Sequence, residues 1–167
     1  IEQALFGKQP SLELSRLLSN QLYSELMYFA YFSFYLLIFC FALYLFLKRS
    51  AYFKESIFKL SASLYIFYFL FSIFPSAGPQ FYFEYPQNIL PEAYIFNHIM
   101  HFIQDTAEQP ERAFPSSHVG ISLIILIMSS KKDPLFYKIA WPIVILLILS
   151  TVYIKAHYDI DVIGSLL

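Results

Sequence analysis

Between residues 26 and 47 the chain carries no charged side chain. Wound as a helix at 1.5 Å per residue, that run crosses a hydrocarbon layer of roughly 30 Å. A helix apolar all round is suited to lipid or to a deep core, not to a wet surface. Further apolar runs follow over about residues 57–74, 115–128 and 135–154, and a fifth starts near Ile160. The spacing predicts an all-α, polytopic transmembrane helix bundle with five spans, and a sixth element is allowed beyond Leu167. The third span is short unless residues 110–114 or 129–130 extend it.

Residues 11–24 read as an N-terminal interfacial helix, because Leu12, Leu14, Leu17, Leu18 and Leu22 give it one apolar face. A polar segment over 76–112 separates the second and third spans and holds a predicted short helix over 91–105. No repeat or linker divides the chain. It is expected to form a single membrane domain over 1–167, with 1–24 interfacial and 25–167 the bundle, its last helix truncated.

Composition agrees with the spans. Hydrophobic residues make up 58% and charged residues 14%, against about 25% charged in a soluble domain. A net charge of −1 and the lack of a basic stripe exclude nucleic acid as a partner. Lys48, Arg49 and Lys54 follow the first span, and Lys131 and Lys132 follow the third. Basic residues near span ends mark the cytoplasmic side. The polar segment and the 155–159 turn then lie on the periplasmic or lumenal face.

Imidazoles and carboxylates are costly in hydrocarbon and ask for a functional explanation where they occur. His118 opens one apolar run and His157 closes another, with Asp161 four residues further on. On a helix, i and i+4 share a face, so the Asp161 carboxylate can accept a proton from one His157 ring nitrogen. The other nitrogen is then available as a nucleophile toward phosphorus. His118 is the natural proton donor, since histidine titrates near pH 6.5. Ser116 and Ser117 open the helix ahead of it, where free N–H groups and hydroxyls favour an anion. His98, His101 and Asp105 have helical spacing but read as wet surface or loop packing, and no metal or cofactor is expected.

These residues resemble the type 2 phosphatidic acid phosphatase superfamily. Its Pro-Ser-x-His signature is matched by Pro115-Ser116-Ser117-His118, and its later His-x-x-x-Asp by His157 and Asp161. The run Ser150-Thr151-x-Tyr153-x-x-x-His157-Tyr158-x-x-Asp161 looks most like the branch that contains inositol phosphorylceramide synthases. The loop Pro75-Ser76-Ala77-Gly78-Pro79-Gln80 looks like that branch as well, and the resemblance covers roughly residues 57–167.

The resemblance implies an integral membrane phosphatase acting on a lipid phosphate or diphosphate, without metal, through a phosphohistidine. His157 is the implied nucleophile, Asp161 its partner and His118 the acid. Two readings stand beside it: a transferase of phosphoalcohol head groups, and a non-catalytic lipid-binding relative. The chain departs from the pattern where Thr151 and Gln80 stand in place of arginines. Arg112 and Lys155 are the candidate substitutes for binding phosphate, together with Ser116, Ser117, Gln80, Ser150 and Thr151.

Overall fold

The computed structural model describes residues 7, 9–18, 20–84, 92–107 and 112–166, leaving aside the side chains of 105 and 107. Among these the chain forms eight helices and no strand. They are α1 (Pro10–Leu17), α2 (Gln21–Leu47), α3 (Phe53–Ile73), α4 (Pro79–Tyr82), α5 (Phe96–Ala107), α6 (Ser117–Lys132), α7 (Pro134–Tyr153) and α8 (Asp159–Gly164).

Helices α2, α3 and α7 are long and apolar enough to cross a membrane. The expected third span, α6, has 16 residues and covers about 24 Å. The expected fifth is described as the six-residue α8. The interfacial helix expected over 11–24 is corrected. It stops at Leu17, and residues 21–24 already belong to α2. Asn20 makes the break. Its side-chain oxygen accepts the N–H groups of Leu22 (2.8 Å) and Tyr23 (3.4 Å), which caps a new helix.

Each long helix buries one stripe and turns the rest outward. On α2 the stripe is Met27, Tyr31, Phe34, Phe41 and Leu45, while Phe39, Phe46 and Leu47 are exposed. On α3 it is Ser56, Leu60, Phe67 and Phe71, with Phe58, Tyr65 and Phe69 outside. Both stripes follow the three-to-four-residue helical repeat. The stripes meet Ile121, Ile125 and Met128 of α6 and Ala140, Val144 and Leu147 of α7 in one core. A second cluster joins Met27, Tyr28 and Tyr31 to Met100 of α5 and to Tyr153, Ile154 and Ala156. Helix α5 is hung on α2 by Glu25, whose carboxylate accepts the N–H groups of Tyr94 (2.8 Å), Ile95 (2.9 Å) and Phe96 (3.0 Å).

The basic loops come together at one end. Asp133 caps α7 by accepting the Phe136 N–H (3.2 Å), with Pro134 in the first helical position. The same carboxylate accepts from Tyr44 (2.8 Å) and Lys48 (2.7 Å), and Lys132 pairs with Glu55 (2.7 Å). One side chain thus ties the end of α2 to the α6–α7 turn. Asp133→Ala should cost about 1–2 kcal/mol from the lost cap and hydrogen bonds, read as a lower unfolding midpoint in detergent. Asp133→Asn, which can still cap, should lose less.

Candidate active site

The C-terminal end of α7 supplies one half of the site. Lys155 adopts a left-handed conformation (φ 59°). Its N–H donates to Val152 O and the Ala156 N–H to Thr151 O, both at 3.1 Å. This is a Schellman closure, in which the left-handed residue is usually glycine. The reversal lets the His157 N–H reach Thr151 O as well (3.1 Å) and turns the imidazole back toward α6. Asp161 lies in the first turn of α8, where its carboxylate accepts the Tyr158 N–H (2.8 Å).

The other half is the start of α6. Ser116 caps it, its hydroxyl accepting the Val119 N–H (3.4 Å). The Ser116 N–H donates to Asp161 O (3.1 Å), and the Ser165 hydroxyl lies 2.8 Å from the carbonyls of both Ser116 and Asp161. These bonds lock the two histidine motifs together through main chain. Ser76 holds the short segment at Ala113 and Phe114 ahead of α6. Its carbonyl accepts the Ala113 N–H (3.0 Å) and its hydroxyl the Phe114 N–H (2.8 Å).

His157 is buried, with Nδ1 2.9 Å from Ala113 O. A carbonyl only accepts, so Nδ1 carries the proton and, in the neutral ring, Nε2 holds the lone pair. The Asp161 carboxylate is also buried and stands 3.6 Å from Nδ1. That exceeds hydrogen-bond reach, so it acts on the ring as a nearby negative charge. His118 is buried against Tyr31, its ring stacked at 4.5 Å with Nδ1 3.4 Å from the Tyr31 hydroxyl, and against Phe34 at 4.3 Å. The two imidazole centroids are 5.7 Å apart.

Both rings line a cavity of about 220 Å³. Ser117, Gln80 and Arg112 share its polar side, and Phe34, Leu64, Phe67 and Phe71 form an apolar wall. Arg112 is exposed at the rim, its guanidinium 5.7 Å from the Tyr68 ring centre. Such a space takes a charged head against the histidines and an apolar tail along α2 and α3.

The remaining candidates lie outside the lining. Ser116 is spent on the α6 cap. The hydroxyls of Ser150 and Thr151 donate back to Leu147 O and Ile148 O, both at 2.7 Å, a common habit of hydroxyls inside helices. Lys155 is buried and does not line the cavity, and burial pushes its ammonium below the usual lysine range. Its carbonyl is engaged by the Gln80 N–H (3.0 Å). Sequence reasoning missed Ser76 and the Ala113 carbonyl, since main-chain contacts leave no residue signature. Among the described residues no group of three or more His, Cys, Asp or Glu side chains gathers to hold a metal ion.

No individual curated protein and no solved structure matches the chain. A family model described as the PAP2 superfamily matches residues 1–167. With three helices long and apolar enough to span a bilayer, the chain is an integral membrane protein that belongs to the PAP2 superfamily, a group of phosphatases and phosphotransferases.

Proposed function

We propose that the chain hydrolyses a lipid phosphate or diphosphate through a phosphohistidine on His157, at the non-cytoplasmic face. The observation that carries this reading is the pair of imidazoles, 5.7 Å apart over one cavity, with the Nδ1–H of His157 committed to Ala113 O. That separation is short enough for one phosphoryl group to touch both rings. The basic loops at the far ends of α2 and α6 support the assignment of the face.

In the first step the Nε2 lone pair of His157 attacks phosphorus. The bond from phosphorus to the lipid oxygen breaks, and that oxygen takes the proton of His118. The imidazolium that forms is stabilised by Asp161 and the Ala113 carbonyl. A water then attacks phosphorus and gives a proton to His118. The P–N bond breaks, its electron pair returns to Nε2, and phosphate leaves.

Incubation with lipid carrying a labelled phosphate tests the reading. The expected result is labelled inorganic phosphate, with an acid-labile, alkali-stable label on the protein after a rapid quench. A labelled phosphodiester formed only when an acceptor alcohol is added would favour head-group transfer instead. Neither label nor product would overturn both and leave the lipid-binding relative.

Ser76 is a positioning residue in this scheme, acting through Ala113 on His157. Ser76→Ala should lower kcat roughly ten- to a hundredfold, since small misplacements of reacting groups cost about that much, with little change in KM. Ser76→Thr, which restores the hydroxyl, should recover most of the loss. A matching rise in KM, or no rescue, would reduce Ser76 to a purely structural role.

A further inference from the structure

The lining of the cavity is poor in charge. Among its described residues Arg112 is the one permanent cation, and no carboxylate joins it. The position opposite the turn, Gln80, is neutral, and its backbone is fixed on Lys155 O. Lys155 itself is buried but outside the lining. Among the other described cations, Lys48, Arg49, Lys54, Lys59, Lys131, Lys132 and Lys138 belong to the other ends of the long helices or to the loops between them, and Arg16 sits on α1 outside the lining.

A phosphate monoester carries about −1.5 to −2 near neutral pH. Arg112 offsets part of that charge. A diphosphate brings roughly one further negative charge into a space backed by Phe34, Phe67 and Phe71, with no second guanidinium to receive it. An uncompensated charge in a half-buried apolar site is strongly disfavoured.

Resting on the hydrolytic reading above, we infer that this site selects a lipid bearing a single phosphate group and discriminates against the diphosphate of the same lipid. The discrimination lies in the charge count of the lining, so an added cation should relax it. Gln80 is the place to add one, because it already faces the cavity from a fixed backbone.

The test uses one prenyl alcohol supplied as its monophosphate and as its diphosphate, with the full chain in detergent micelles. Initial rates should favour the monophosphate by about tenfold or more in kcat/KM, and Gln80→Arg should shrink that ratio severalfold. Equal or faster turnover of the diphosphate by the unaltered protein would overturn the inference, whether or not the variant folds. Binding to the His157→Ala protein gives a reading without chemistry, and there too the monophosphate should win by about tenfold. If neither lipid is turned over but that binding preference holds, the hydrolytic reading fails and the selectivity stands. If the two bind His157→Ala equally, the selectivity fails.

Discussion

Replacing His157 with alanine is expected to remove turnover, by roughly 10⁴- to 10⁶-fold, the range seen when a covalent nucleophile is deleted. The size of the effect follows from the division of labour in the ring. Nδ1–H is held by Ala113 O at 2.9 Å, so Nε2 alone can attack. A water left in the gap would lack both the nucleophilicity of the imidazole and its fixed position. Asp161→Asn should cost much less. The proton on Nδ1 is kept by the carbonyl, and the carboxylate at 3.6 Å contributes only charge. A loss of about ten- to a thousandfold, between the wild type and His157→Ala, is expected there. Both variants should be measured beside their unfolding midpoints, because both side chains are buried. A folded His157→Ala protein that still releases phosphate at the wild-type rate would exclude the phosphohistidine path.

The contrast between these two residues shows where reasoning from sequence stops. The i, i+4 spacing of His157 and Asp161 suggests a direct hydrogen bond, and the side chains do come within 3.6 Å. The carbonyl that takes the closer position belongs to Ala113, far away in sequence, and any residue type supplies a carbonyl. The same limit explains Ser76, which acts through one hydroxyl and two main-chain groups. It explains Lys155 too, since a glycine would announce a left-handed turn and a lysine does not.

What was readable rests on composition over long stretches. The charge-free run over 26–47 lies inside α2, and the Lys-Lys-Asp-Pro sequence places the turn between α6 and α7. The error at residues 18–20 has a local cause. Leu18 and Leu22 extend the apolar face of α1, but Asn20 offers a cap, and its two hydrogen bonds start a new helix there. Ser150 and Thr151 show the opposite failure. Their spacing from His157 matched a known pattern, while their short hydroxyls found nearer acceptors one turn back.

The second large effect is expected at His118, and its size should depend on the leaving group. With an alkyl lipid phosphate the departing alkoxide is strongly basic and needs a proton as the P–O bond breaks. His118→Ala should then slow turnover by roughly 10²- to 10⁴-fold, the usual worth of a positioned general acid. An aryl phosphate with an acidic phenol leaves without that help, so its first step should be nearly spared. The second step is different. Water attacking the phosphohistidine has lost its base, and no other histidine lines the cavity besides His157 itself. The variant should therefore release about one equivalent of phenolate in a burst and then stall, with phosphate retained on His157. Rapid-quench assays with the two substrates separate this from a simple packing defect around Tyr31 and Phe34, which would slow both esters alike and trap nothing. If the aryl ester loses as much as the alkyl ester and no phosphoprotein accumulates, His118 supports the site without moving a proton, and another group must protonate the lipid oxygen.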